Sequence, residues 1–176
     1  MEELIISPPK SIMEVYRMLP EGTLAELINK VIYMSPSPIS QHQRIISKLL
    51  SKVYPHVESN GLGEVFIAPF DVYLDEHSNA VQPDIVFVSK ENSHIIKDHI
   101  HGVPDLVIEV LSEGNKNHDL KRKRKLYEKF GVKEYWMIDP ETKEAIGLTL
   151  QQKKYAEFFR GNSVLKSALL KKQFEF

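Results

Sequence analysis

The spacing of apolar residues along the chain predicts three helices. Between residues 40 and 57 they recur at intervals of three and four, which is typical of an amphipathic helix with one buried stripe. A shorter helix is predicted over residues 11–19, where Ser11 begins a capping-box pattern. The third is predicted over residues 118–130 and ends at Gly131, a residue that readily adopts the left-handed conformation of a helix cap.

Short apolar runs bounded by turn residues predict the strands. Two such runs within residues 23–34, on either side of Asn29-Lys30, predict a hairpin. Further strands are predicted at residues 64–74, 81–89, 104–111 and 132–138, followed by short strands near 144–150, 155–159 and 164–170. The polar segment 90–103 has no clear period and predicts a loop with a helical turn.

The order of these elements predicts an α/β (α+β) fold in which a mixed β-sheet is flanked by helices. A chain of 176 residues with 42% apolar content has about the size of one ordinary domain. The sequence has no internal repeat, low-complexity linker or shift in composition. We therefore expect residues 1–176 to form a single domain.

Composition limits the chemistry and the location of the protein. The chain has no cysteine, so a metal would have to be held by carboxylates, histidines or carbonyls. The first ten residues, MEELIISPPK, do not resemble a secretory signal, and no apolar run approaches the roughly 20 residues of a membrane span. We therefore expect a soluble, cytoplasmic protein.

The net charge indicates that nucleic acid would have to bind to a local basic patch rather than to the protein surface as a whole. The formal net charge is -1, so the protein is not a polycation that would attract nucleic acid through its whole field. Five consecutive basic residues at 121–125, in the third predicted helix, form a candidate patch. A solvated helix face is an equally ordinary interpretation of this run.

The most informative residue is Glu109, an acid in the apolar strand LVIEVL. Ionised carboxylates are rarely buried unless they are paired or bind metal, although Glu109 would be an ordinary residue on the solvated face of a half-exposed strand. If its strand pairs in antiparallel fashion with the strand that Asp84 opens, the two acids become neighbours. Asp105 would then lie roughly 13 Å from Glu109 along the strand. Asp84 and Glu109 are therefore the candidate ligands for Mg²⁺ or Mn²⁺.

The third predicted helix supplies a candidate cation. Asp119, Lys123 and Tyr127 are four residues apart and therefore share one helix face. A lysine beside a metal-bound phosphate can stabilise developing negative charge during phosphodiester hydrolysis. By spacing alone, Lys123 could equally be an ordinary exposed lysine of the basic run.

Several segments, taken in order, resemble a known family. They are Glu26-Leu27-Ile28, His42, Gln82-Pro83-Asp84-Ile85, the run PDLVIEVLS at 104–112, Asp119, Lys123, Tyr127, the run GVKEYW at 131–136, and Asp139-Pro140. Together they resemble the Uma-two (Uma2) family, a branch of the PD-(D/E)XK nuclease superfamily. The resemblance extends from about residue 20 to the end of the chain.

The resemblance implies a restriction-endonuclease-like core in which Asp84 is the PD aspartate and Glu109 the second acid. The chain departs from the superfamily pattern two residues later, where Leu111 stands in place of a lysine. The resemblance implies that this lysine has moved to the following helix as Lys123. A divalent ion, Mg²⁺ or Mn²⁺, is the implied cofactor, and DNA is the implied substrate.

Two further residues match family positions near the same site, and we include both in the candidate catalytic set. They are Glu26, whose role is open, and His42. The latter could coordinate metal, act as a base near neutral pH, contact phosphate or simply cap the second helix. Asp139 also matches, and its place in a turn after a strand indicates a structural role.

The leading hypothesis is a metal-dependent endonuclease that cleaves DNA. One alternative is a catalytically inactive nuclease-fold protein that binds nucleic acid or a partner, because a fold does not establish an activity. Another is a hydrolase of a small phosphorylated compound. A homodimer is expected by analogy with nucleases that cut both strands.

Overall fold

The computed structural model describes residues 8–112 and 116–176, and for residues 116–120 it describes only the backbone. The α-helices are α1 (Ile12–Arg17), α2 (Ser40–Ser59) and α3 (Lys116–Phe130), and a 3₁₀ helix spans Lys90–Ile95. The Ser11 side chain accepts a hydrogen bond from the Glu14 backbone N–H, as the capping pattern predicts. No helix within the described ranges is long and apolar enough to cross a membrane.

The strands are short and numerous. They are β1 (Ala25–Ile28), β2 (Val31–Met34), β3 (Gly63–Ile67), β4 (Val72–Tyr73), β5 (Ala80–Val81), β6 (Ile85–Ser89), β7 (Ile100–His101), β8 (Leu106–Val110), β9 (Glu134–Ile138), β10 (Glu144–Gln151), β11 (Lys154–Asn162), β12 (Val164–Ser167) and β13 (Lys172–Glu175). The predicted hairpin is present as β1 and β2, with Asn29 and Lys30 both at positive φ in its turn.

Within the described residues, the main sheet has six strands in the order β11-β10-β9-β8-β6-β3. Strands β8 and β9 are parallel and are joined through α3, whereas the other neighbours are antiparallel. Alternate residues of the central strands enter two cores. One, with Ile108 and Trp136, packs against α2, and the other, with Val107 and Tyr135, packs against α3. The predicted mixed α/β fold is confirmed.

Two of the predicted strands are wrong as continuous elements. The segment 64–74 divides into β3 and β4, and the segment 81–89 divides into β5 and β6. The breaks lie at Pro69 and Pro83, since proline has no N–H to give to a strand ladder. The tail segment predicted over 164–170 also stops early, at Ser167, and β13 was not predicted.

These breaks create a second sheet. Among the described residues it has five strands in the order β2-β1-β5-β4-β7. Its apolar residues Ile28, Val72 and Val81 share the core that also contains Val107 and Tyr127 of α3. The second sheet and α3 therefore cover the same face of the main sheet, and β1 is brought to the end of β8.

Candidate active site

Strand pairing places Asp84 beside Glu109. Strands β6 and β8 are antiparallel with Ile85 opposite Ile108, so the next position in the same register sets Asp84 opposite Glu109. The Val110 backbone N–H donates to Asp84 Oδ2 at 2.7 Å and holds the aspartate against β8. The antiparallel geometry expected from the sequence is thus present.

Asp105 lies at the other end of this strand pair. It is 2% exposed, its Oδ2 accepts from the Ser89 backbone N–H at 2.8 Å, and its Oδ1 is 2.6 Å from Lys133 Nζ. Burial opposes ionisation, but hydrogen bonds from Lys133 and Ser89 outweigh it and hold the pKa of Asp105 below its usual range. Asp105 therefore stabilises the end of the sheet and lies apart from Asp84 and Glu109.

We expect Asp105→Ala to lower the free energy of unfolding by about 1–3 kcal/mol, because the half-buried backbone N–H of Ser89 loses its acceptor. Lys133 is mostly exposed and can return to water, which limits the cost. Affinity for Mg²⁺ or Mn²⁺ should stay at the wild-type value. Urea unfolding and calorimetric titration measure the two quantities, and an equal loss of metal affinity in Asp105→Ala and Glu109→Ala would contradict the proposed site.

Glu109 is buried on the α3 face of the sheet, at 7% exposure, so the interpretation of a solvated strand face is wrong. Its Oε1 accepts from Tyr127 OH at 2.7 Å and from Lys123 Nζ at 3.0 Å. The pKa of Glu109 is raised to about 7: burial is the largest cause, Lys123 lowers the pKa, and the nearby carboxylates of Asp84 and Glu26 raise it. A carboxyl group that titrates near neutral pH next to a charge partner is typical of functional sites.

Lys123 is directed inwards and bridges two acids. Its Nζ is 2.9 Å from Glu26 Oε1 on β1 and 3.0 Å from Glu109 Oε1 on β8. Burial opposes its charge, but Glu109 and then Glu26 outweigh this, so the pKa of Lys123 lies well above its ordinary value. Lys121, Lys125 and the neighbouring arginine Arg124 are exposed. The basic run therefore divides, and Lys123 is not an ordinary surface lysine.

His42 contacts the other candidate ligand. It lies in the first turn of α2, and its Nε2 is 3.2 Å from Asp84 Oδ2. Burial lowers the pKa of His42, but the hydrogen bond and charge of Asp84 outweigh it and raise the pKa above its usual value. Nδ1 is buried and has no hydrogen-bond partner in the described part of the chain. The N-cap of α2 is Ile39 and has no side-chain bond, so the capping role suggested for His42 is wrong.

All five candidate residues therefore meet at one end of the two sheets: Glu26, His42, Asp84, Glu109 and Lys123. The side chain of Asp119 lies outside the described residues. Asp139 accepts from the backbone N–H groups of Glu141 and Thr142, which agrees with a structural turn.

Sequence reasoning missed a second layer of contacts behind Glu26. The Gln82 backbone N–H donates to Glu26 Oε1 at 3.1 Å, and Gln82 Nε2 donates to Asp71 Oδ1 at 2.9 Å. The hydroxyls of Tyr16 and Tyr73 also donate to Asp71. The position of Gln82 next to the PD motif is the one feature of the sequence that could have indicated its contact with the site. No sequence pattern indicates Asp71.

The donor chemistry fits a hard divalent ion. Within the described ranges no three acidic or histidine side chains converge as a preformed metal cluster. Mg²⁺ usually takes one or two carboxylates together with water and substrate phosphate, so a two-acid site is sufficient. Asp84 Oδ2 and Glu109 Oε1 already accept hydrogen bonds, and no donor among the described residues engages Asp84 Oδ1 or Glu109 Oε2. These two oxygens are the candidate ligands.

The mixed sheet, its helices and the two acids, Asp84 just before β6 and Glu109 on β8, define a protein of the restriction-endonuclease-like fold. The chain belongs to the Uma2 family, described as "Putative restriction endonuclease", which matches residues 12–176. It is also similar to a solved structure described as a "putative nuclease belonging to DUF820 from Anabaena variabilis ATCC 29413". That similarity has a TM-score of 0.73 and 18% identity, and covers 92% of this chain and 91% of the other. No curated protein matches significantly.

Proposed function

We propose that this protein is a metal-dependent endonuclease that hydrolyses phosphodiester bonds in DNA. The observation that carries the proposal is the burial of Glu109 beside Asp84, with Lys123 between Glu109 and Glu26. Two well-packed apolar residues would serve stability as well as or better than a buried ion pair. Two acids that share one buried lysine, with Asp84 beside them, are therefore best explained by chemistry performed there.

Asp84 Oδ1 and Glu109 Oε2 are proposed to hold Mg²⁺ or Mn²⁺. When bound, such an ion supplies positive charge at the phosphoryl oxygens and makes an attacking water more acidic. His42 and the Val110 N–H fix Asp84, and Tyr127 fixes Glu109, each by holding the other carboxylate oxygen. These contacts orient the two ligands before an ion arrives, which limits the reorganisation needed on binding.

Lys123 is proposed to stabilise charge rather than to remove a proton. Its raised pKa keeps the ammonium protonated at neutral pH, so it cannot serve as a general base. It can donate hydrogen bonds to a phosphoryl oxygen as negative charge grows there and can orient the water. Hydrolysis forms a bond from the water oxygen to phosphorus and breaks the bond from phosphorus to one sugar oxygen. Glu26 positions the ammonium from the opposite side.

A second candidate is a nuclease-fold protein that binds DNA or a partner without cutting it. The Lys123 ammonium already offsets part of the negative charge of Glu26 and Glu109, so the cluster can persist without an ion. A DNA-cleavage assay separates the two candidates. For the cutting enzyme we also propose a homodimer, because two sites are needed to cut both strands in one encounter.

The test uses supercoiled plasmid, linear duplex and single-stranded DNA, each with Mg²⁺, Mn²⁺ or EDTA. We expect cleavage of at least one DNA in a divalent ion and none in EDTA. Binding that weakens steeply with salt, without cleavage under any condition, would favour the binding protein. Cleavage of a small phosphodiester but of no DNA would favour the small-molecule hydrolase. Sedimentation at the assay concentration decides the oligomeric state.

Affinity for the divalent ion should rise with pH up to about 7 and level off above it. Below that pH the buried Glu109 carries a proton, which must leave before the carboxylate can bind a cation. Calorimetric titration with Mn²⁺ should therefore show proton release at about pH 6 and almost none at about pH 8, as buffers of different ionisation enthalpy reveal. An affinity that is constant across this window would contradict a Glu109 ligand that has a pKa of about 7.

A further inference from the structure

Helix α2 carries three exposed basic residues along one face. Arg44, Lys48 and Lys52 are spaced four residues apart, so their side chains form a stripe that rises about 6 Å with each step. Within the described part of the chain, none of the three has a side-chain hydrogen bond or an ion pair. By contrast, the exposed Lys154 pairs with Glu128 at 3.0 Å. The three residues, which we call the α2 basic stripe, thus present positive charge that no described acid compensates.

The α2 basic stripe does not stabilise the helix that carries it. Like charges four residues apart on a helix repel each other, whereas a solvated helix face usually mixes acids and bases at this spacing. Residues 27–57 contain no Asp or Glu, although the chain has 24 acidic residues. A face that is only positive, and that loses stability by it, is best explained by an anionic partner.

The packing of α2 indicates that this partner is bound by charge and hydrogen bonds. The apolar face of the helix, with Ile45, Leu49 and Val53, is buried against the main sheet, so it cannot enter a bilayer. The exposed neighbours Gln43 and Ser47 are uncharged, and side chains of both types donate to phosphate oxygens in protein–DNA complexes. The surface therefore fits a polyanion with accessible phosphate groups.

The stripe begins close to the candidate active site. His42, in the first turn of α2, contacts Asp84, and Arg44 follows two residues later. Two residues turn a helical side chain by about 200°, so the stripe faces phosphates that flank the scissile one rather than the scissile one itself. From Arg44 to Lys52 the helix rises about 12 Å, which corresponds to about three phosphate steps along one DNA strand.

On the basis of the proposed nuclease function, we propose that the α2 basic stripe binds backbone phosphates of duplex DNA on one side of the cleaved bond. The three cations also offset the repulsion that a polyanion meets from Glu26, Asp84 and Glu109, and they can steer it towards the site. Phosphate contacts of this kind position the duplex without reading its sequence.

The test is the affinity for a short fluorescent DNA duplex, measured by anisotropy in EDTA over a salt series, so that no cleavage intervenes. Arg44→Gln, Lys48→Gln and Lys52→Gln should each lower the salt slope by about one contact, and the triple variant should lower it by about three. At about 0.1 M salt the triple variant should bind DNA about 100-fold more weakly than the wild type. Arg44→Lys should bind nearly as tightly as the wild type, because it keeps the charge.

Three exposed lysines outside α2 provide the matched control. Lys90→Gln, Lys97→Gln and Lys153→Gln together remove the same net charge as the triple stripe variant. The control should keep the affinity and salt slope of the wild type, because it leaves the stripe intact. Thermal unfolding at low salt checks the fold. The stripe variant should unfold at or above the wild-type temperature, since it removes repulsion between like charges.

Wild-type affinity and salt slope in the triple stripe variant would overturn the proposal, as would an equal loss in the control or no DNA binding by the wild type. If the triple variant is unstable, the three single variants decide in the same way. Binding to vesicles of equal parts phosphatidylserine and phosphatidylcholine that depends on the stripe, without binding to DNA, would assign the stripe to an anionic membrane surface instead.

Cleavage by the wild type in Mg²⁺ or Mn²⁺ is scored separately, so that the two proposals can fail independently. DNA binding that depends on the stripe, without any cleavage, would refute the nuclease and leave the binding surface supported. Cleavage of DNA whose affinity does not depend on the stripe would refute the binding surface alone.

Discussion

Asp84→Asn and Glu109→Gln should each reduce metal-dependent DNA cleavage by about a thousandfold or more, because each removes a charged ligand from the ion site. The amides keep the size of the side chains, and in Asp84→Asn the new amide oxygen can still accept from Val110 N–H. No core cavity is created, so the fold should be retained. Single-turnover kinetics measure cleavage, calorimetric titration measures the expected loss of Mn²⁺ affinity, and thermal unfolding checks the fold. The alanine variants should lose cleavage equally.

Glu134→Gln is the matched control for this loss. Glu134 is also a buried acid on a central strand, at 1% exposure, but it accepts from Trp136 Nε1 and from the backbone N–H groups of Ala168 and Leu169. Its substitution should lower stability without changing cleavage per folded molecule or Mn²⁺ affinity. Unaltered cleavage by Asp84→Asn or Glu109→Gln would refute the assignment of the ion site.

The pairing of Asp84 with Glu109 could be predicted because it depends on local pattern and simple geometry. An acid among Val, Ile and Leu indicates an unusual burial, and the antiparallel rule then selects which of Asp84 and Asp105 can be its neighbour. The structure places Asp105 at the opposite end, bonded to Ser89 and Lys133. Both steps needed only the two strands and their direction.

The approach of Glu26 could not be derived in this way. It depends on the second sheet, which exists because the segments 64–74 and 81–89 break at prolines and each contributes a strand to both sheets. Treating each segment as one strand leaves β1 without a partner other than β2. Only the resemblance to the family placed Glu26 near the site, and its contact with Lys123 is a product of the tertiary fold.

The division of the basic run is a second feature that the sequence predicts only in part. Helical spacing requires that the five residues point in different directions, and it makes Lys123 and Tyr127 share a face. Spacing alone does not say which element each of the remaining residues contacts. In the structure Arg122 lies over the Tyr33 ring on β2, whereas Arg124 interacts electrostatically with Glu157 on β11.

Lys123→Met should reduce single-turnover cleavage by about 100- to 10,000-fold, because it removes the cation that meets developing negative charge. DNA affinity should fall much less, since the exposed basic residues of α3, Lys121, Arg124 and Lys125, keep their positive charge. The variant should also be less stable without metal, because Glu109 and Glu26 lose their shared partner. Loss of one partner from a buried ion pair costs about 3–5 kcal/mol, and a bound divalent ion should restore part of this stability.

The stability loss in Lys123→Met should depend on pH in a defined direction. The pKa of Glu109 is raised to about 7, mainly by burial, even though Lys123 lowers it, so removal of Lys123 should raise this pKa further. A carboxyl with a raised pKa favours the folded state at low pH and loses that contribution as the pH rises through the folded pKa. The difference in unfolding free energy from the wild type should thus be larger at about pH 8 than at about pH 6.

Lys121→Met, at an exposed position, is the control and should show neither the loss of cleavage nor the pH-dependent loss of stability. Wild-type cleavage by Lys123→Met at saturating DNA would mean that another residue meets the developing charge.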